Sequence, residues 1–175
     1  MNRKQIVDVV IAVFLITCAS LLLVLPLFHY MKIKTIFMGV FALYSILNLI
    51  QYLLTYKSKD IEGLLTFFSS IIALVIAWKL DIASVPWYLA LTLFIWVIMM
   101  SLIKLKKADY YNDRKNSVWI LKIITLILFI LCGLLATINL YYSADVQILI
   151  IGFFFLIHGI LELLDPLTVY LLERR

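Results

Sequence analysis

Charge is scarce in this sequence, and so are the residues that bend or break a helix. Only 14% of its 175 residues are charged, and it holds five glycines, three prolines, two cysteines and two histidines. Soluble domains are about 25% charged, and no water-soluble fold can hide a chain that is 66% hydrophobic. The missing residue types also exclude the usual enzyme signatures. Two histidines, His29 and His158, cannot form a helix-borne His-Glu-x-x-His zinc site. The scattered glycines form no phosphate loop, dinucleotide turn or Gly-x-Ser-x-Gly elbow. Cys18 and Cys132 have no metal-ligand spacing and read as small apolar fillers. The expectation is a non-enzymatic protein without cofactor or metal.

What is present is hydrophobic length. Apolar blocks run over about 6–27, 33–54, 61–80, 84–103, 118–140 and 146–164, each long enough to cross a bilayer at about 20 residues per span. The chain reads as an all-α membrane protein, a single integral domain over 1–175. Arg3, Lys4 and Cys18-Ala19-Ser20 faintly suggest a secretory signal. The first apolar run exceeds the ~7–15 residues of a signal core, so it reads as a retained helix. Asp165-Pro166 looks like a helix stop followed by a capped restart, which predicts a short interfacial helix over 166–175.

The formal charge of +5 forms no long basic face, so nucleic acid is not an expected partner. The basic residues read as topology signals instead. Twelve of the 15 lie at the N-terminus, in the second and fourth connections and at the C-terminus: Arg3, Lys4, Lys57, Lys59, Lys104, Lys106, Lys107, Arg114, Lys115, Lys122, Arg174 and Arg175. Lys32, Lys34 and Lys79 lie on the other side. Basic loops resist translocation, so both termini are expected in the cytoplasm of a bacterial inner membrane. Aromatic residues mark the same two levels, with Tyr30, Trp78, Trp87, Tyr88, Tyr141 and Tyr142 outside and Tyr52, Tyr56, Tyr110, Tyr111 and Trp119 inside.

A motif recurs late in the even-numbered spans: Ser45-Ile46-Leu47-Asn48-Leu49, Ser101-Leu102-Ile103-Lys104-Leu105 and Gly159-Ile160-Leu161-Glu162-Leu163, spaced by 56 and 58 residues. Cys18 and Cys132 add an odd-span match at an offset of 114. The pattern predicts three parallel hairpin repeats, about 1–56, 57–115 and 116–165, in a pseudo-threefold bundle. The run from Cys18-Ala19-Ser20 through Pro26 and Met38-Gly39 to Ser45-Ile46-Leu47 resembles the HdeD-like membrane proteins. So does the run from Cys132-Gly133 through Ile151-Gly152 to Gly159-Ile160-Leu161-Glu162-Leu163. Those are six-span bacterial proteins, built of short hairpin repeats and associated with acid resistance. The resemblance implies a role in envelope or acid stress, with the bilayer and either a second copy or another membrane protein as partners.

Ionisable residues inside spans are the functional candidates. Counting back from the turns near Ser143 and Ala83 puts Lys122 level with Glu162, and Glu62 level with Lys104. Asp8 and Asn48 hold that level in the first hairpin. The six either form a belt of three polar pairs or are helix-end charges reaching for the headgroups. His158 lies near mid-membrane, one turn before Glu162. It is either a pH-sensing or proton-relaying group, as in a small transporter or proton-linked channel, or a structural imidazole bonded to a neighbouring helix. Above it only Gln147, Asn139 and Ser143 are polar. Ser69, Ala73 and Ala77, and Gly152 with Gly159, form small-residue faces suited to close helix packing. Trp96 is expected in the core or facing lipid.

Overall fold

A computed structural model describes residues 3–24, 31–56, 61–82, 84–113, 118–140 and 144–173. Among these there are six α-helices and no strand: α1 (Arg3–Val24), α2 (Ile33–Thr55), α3 (Glu62–Lys79), α4 (Pro86–Asp113), α5 (Val118–Asn139) and α6 (Ala144–Glu173). All six are long and apolar enough to cross a membrane. Pro26, His29, Tyr30, Lys57, Lys59, Ala83, Arg114, Lys115, Tyr141, Tyr142, Ser143, Arg174 and Arg175 lie outside the described residues.

Two helices exceed their apolar spans. The fourth continues ten residues past the expected end at 103, because Lys104 and Lys107 turn inward onto carboxylates and leave no reason for the helix to stop. The sixth runs through Pro166 without a break, so the separate interfacial helix expected over 166–175 does not form among the described residues. Asp165 is no cap: its buried carboxylate is held by Lys107 and Lys122, which fixes this turn inside the bundle. Proline removes one backbone donor, the one that would reach the Glu162 carbonyl. Thr168 Oγ1 donates to the Asp165 carbonyl at 3.0 Å in the same turn.

The helices form a ring in chain order, with α6 closing onto α1. Contact is most extensive for α1 with α6, α2 with α3 and α4 with α5, and less extensive between the alternate neighbours. Glycine makes the tightest approaches. A Cβ at Gly159 would stand 3.0 Å from the Ile16 backbone nitrogen, and one at Gly63 2.9 Å from the Asn48 carbonyl oxygen. Ser69, Ala73 and Ala77 are buried in α3, as their spacing suggests.

The core is aromatic. Trp96 of α4, 1% exposed, meets Phe41 and Tyr44 of α2, Phe129 of α5, and Phe154 and His158 of α6, with ring centroids 5.0–6.1 Å apart. Large aliphatic side chains such as Leu53, Leu135 and Ile138 are exposed instead, the arrangement suited to a lipid solvent. Scattered hydroxyls bond their own helix, as Ser20 does to the Ile16 carbonyl at 2.8 Å and Thr137 to the Gly133 carbonyl at 2.8 Å.

Replacing Gly63 or Gly159 with alanine is expected to cost about 1–3 kcal/mol by forcing packed backbones apart. Gly39, over which a Cβ meets nothing within 4 Å, is expected to accept alanine with a gain of up to about 1 kcal/mol from helix propensity. Melting temperatures of the detergent-solubilised variants check this; equal effects at all three positions would refute the packing account.

Candidate functional site: a buried ion-pair network

At one end of the bundle the inward faces of all six helices turn polar. α1 supplies Lys4 and Asp8, α2 Asn48 and Gln51, α3 Glu62, α4 Lys104 and Lys107, α5 Lys122, and α6 Glu162 and Asp165. The lysine stems are long enough to bring ammonium groups to the carboxylates from neighbouring helices. Lys4 Nζ lies 2.9 Å from Glu62 Oε2, and Lys107 Nζ 2.6 Å from Glu62 Oε1. Lys107 also reaches Asp165 Oδ2 at 3.2 Å, and Lys122 Nζ reaches the same oxygen at 2.6 Å. These contacts form one chain, Lys4–Glu62–Lys107–Asp165–Lys122, through five helices. Gln51 Nε2 donates to Asp8 Oδ1 and brings in α2. Lys104 pairs with Glu162 across α4 and α6 and stands 5.2 Å from the Phe129 ring centroid. Four ammonium groups thus face four carboxylates, which is what burial demands.

The structure brings the sequence candidates together at one level, but with different partners. Lys122 does not pair with Glu162, nor Glu62 with Lys104, nor Asp8 with Asn48. In each case the partner lies three residues later on the same helix: Asp165 for Glu162, Lys107 for Lys104, and Gln51 for Asn48. Counting at 1.5 Å per residue from loops of unequal length misplaced the register by about one turn. The displaced residues face inward instead. Lys104 meets Glu162, and Asn48 Nδ2 donates to its own helix at the Tyr44 carbonyl, 2.8 Å away. By sequence Lys4 and Lys107 look like topology signals and Asp165 like a cap, and Gln51 carries no charge to mark it. A signal for three of them was present, since Gln51, Lys107 and Asp165 repeat the 56- and 58-residue spacings of Asn48, Lys104 and Glu162.

A cavity of about 20 Å³ lies within the network, lined by Asp8, Tyr44, Asn48, Glu62, Lys104 and Glu162 among others. That is room for about one water molecule. His158 stands above it, 1% exposed, with Nε2 3.9 Å from Glu162 Oε1. Neither imidazole nitrogen has a hydrogen-bond partner among the described residues, so the expected bond to a neighbouring helix is absent. Aromatic packing holds the ring instead, with Phe129 at 4.9 Å and Trp96 at 5.4 Å between centroids. Towards the opposite end the polar groups close on nearby backbone: Asn139 Nδ2 on the Leu135 carbonyl at 2.7 Å, and Gln147 Nε2 on the Leu140 carbonyl at 2.9 Å. Among the described residues no group of three or more His, Cys, Asp or Glu side chains is placed to hold a metal ion. Cys18 and Cys132 are unpaired and half-buried in α1 and α5.

Lys122→Asp is expected to destabilise the bundle by about 3–5 kcal/mol, because it sets a second carboxylate beside Asp165 in a buried site. Adding Asp165→Lys restores an opposite-charge pair but sets its ammonium beside Lys107, so it is expected to recover part of the loss. Glu162→Lys in the same background gives no recovery. Denaturation of the purified variants distinguishes the two partners directly.

Set beside known proteins, the chain matches no family, no curated protein and no solved structure.

Proposed function

We propose that this chain is a non-enzymatic multi-pass protein of a bacterial inner membrane, acting in envelope or acid stress through a stable bundle and contacts with a second copy or another membrane protein. One observation carries the reading: the ionisable core is balanced in charge, gathered at one end, and separated from the other end by an aromatic layer. The excess of basic residues at the charged end supports placing that end, with both termini, in the cytoplasm. External acid then meets the aromatic and aliphatic half first. The carboxylates that hold the helices together are reached only from the pH-buffered side.

Two observations support the three-hairpin organisation with an approximate threefold axis. The inward polar positions of α2, α4 and α6 recur twice at the same spacings, as Asn48, Lys104 and Glu162 and as Gln51, Lys107 and Asp165. Helix contacts also alternate around the ring, as a threefold axis requires, with the extensive contacts between successive hairpins and the sparser ones within each hairpin. The HdeD-like resemblance rests on that hairpin pattern, and it is the source of the acid-stress assignment.

A transporter or proton-linked channel through His158 and Glu162 finds less support. Its path would need polar stations beyond His158, and Asn139 and Gln147 are bonded to nearby backbone.

Proteoliposomes test both parts. Carboxylates that must be ionised to hold their lysines lose that contribution as pH falls, so acid on the charged side is expected to lower the melting temperature and acid on the opposite side to leave it unchanged. Proton flux is expected to equal that of protein-free vesicles. Flux that disappears in His158→Ala would establish the channel reading instead.

A further inference from the structure

A groove of about 710 Å³ lies between α2 and α3, towards the end opposite the ion pairs, lined by Lys34, Met38, Gly39, Ala42, Leu74 and Trp78 among others. We propose that it holds an acyl chain of a glycerophospholipid whose anionic headgroup is bound at the mouth by Lys34 and the lysines beside it. The proposal rests on the six helices crossing a bilayer and is independent of any role in stress.

Shape, length and charge all favour this occupant. Gly63, Gly133, Gly152 and Gly159 are each crowded by a neighbouring helix, whereas a Cβ on Gly39 would meet nothing within 4 Å. The small residue at 39 therefore serves no helix contact and leaves the groove floor open to something outside the chain. From Lys34 to Ala42 the groove follows eight residues of α2, about 12 Å at 1.5 Å per residue. That covers most of one leaflet of a hydrocarbon core about 30 Å thick. Met38, Ala42, Leu74 and Val75 give it apolar walls, as a chain of methylenes requires.

The mouth is cationic. Lys34 Nζ donates to the Trp78 carbonyl at 3.2 Å and to the Leu80 carbonyl at 3.1 Å, where α3 ends. An ammonium has three donors, and these two bonds are the ones it makes among the described residues, so a third N–H is offered to a ligand. Lys104, Lys107 and Lys122 at the other end each meet a carboxylate, whereas Lys34 is anchored on backbone carbonyls. Lys79 Nζ lies 5.0 Å from the Trp78 ring centroid, and Lys32 stands at the residue before α2. Asp81 is the one acidic residue of the 80–85 connection, against Lys32, Lys34 and Lys79 in the flanking helix ends. Trp78 suits the headgroup level.

The full-length chain, reconstituted with equal phosphatidylglycerol and phosphatidylcholine and released into mild detergent, is examined by native mass spectrometry. The expected result is one retained phospholipid per chain, predominantly phosphatidylglycerol. Gly39→Phe fills the groove and is expected to abolish retention with an unchanged melting temperature. Ala42→Leu is a second filling variant for use if Gly39→Phe fails to fold. Lys34→Gln is expected to keep a lipid but lose about fivefold of the preference for the anionic headgroup, the effect of about one surface lysine. Equal retention of the two lipids by the wild type, retention unaffected by both filling variants, or a lipid-free dimer seated on this face would overturn the proposal.

Discussion

Everything at the charged end of this bundle follows from the cost of an unpaired charge in a medium that cannot solvate it. A buried ion loses several kcal/mol of hydration, and only a close partner of opposite sign, with its remaining hydrogen bonds satisfied, restores the balance. The chain Lys4–Glu62–Lys107–Asp165–Lys122 meets that requirement by sharing: Glu62 and Asp165 each serve two lysines, and Lys107 serves both carboxylates. Because the links join five helices, moving any one of them strands a charge. Hydrogen bonds between membrane helices average only about 0.6 kcal/mol, so this network fixes helix positions in a way that single hydroxyls cannot.

The rest of the interior cannot rely on the hydrophobic effect, since lipid tails are as apolar as leucine. It relies on close contact. Gly63 lets α3 approach the backbone of α2, and Gly159 lets α6 approach that of α1, while Trp96 fills the space where α2, α4 and α6 converge. The two devices meet at the charged end, where Gly63 stands beside Glu62 and against Asn48 and Gln51, and the rings extend from there towards the other end. His158 stands at the boundary, with its ring among the aromatics and Nε2 directed at the carboxylate of Glu162.

That division explains which features could be read from the sequence. Span positions were legible because hydrophobic length needs no knowledge of partners; α2, α3 and α5 end within a residue of the apolar blocks. The depth of the polar belt was legible for the same reason, since it follows from counting along single helices. Partner identity was not, because it depends on the relative register of two helices, which loop lengths leave uncertain by a turn. Asp165 shows a second limit. Before proline an acidic residue looks like a helix cap, and only burial against Lys107 and Lys122 reveals an ion-pair partner inside one continuous helix. His158 was legible in depth but not in environment, because an imidazole held by rings rather than hydrogen bonds leaves no pattern in a single helix.

The one-turn shift also orders the network. Asp8–Gln51, Glu62–Lys107 and Lys122–Asp165 each join two helices consecutive in the chain, α1 with α2, α3 with α4, and α5 with α6. Lys4–Glu62, Lys107–Asp165 and Lys104–Glu162 join helices from different pairs. Each consecutive pair therefore carries an internal partner for one of its charged groups, and the remaining charges are compensated only when the pairs meet. Among the described residues Lys104 is the lysine that meets Glu162, beside the His158 imidazole, so the pair penalises any arrangement that separates α4 from α6. Local contacts make each helix pair tolerable in lipid, and the contacts between pairs make one assembly of the three far better than the others. The charges scarce in this sequence thus act as the address by which its apolar helices find their places.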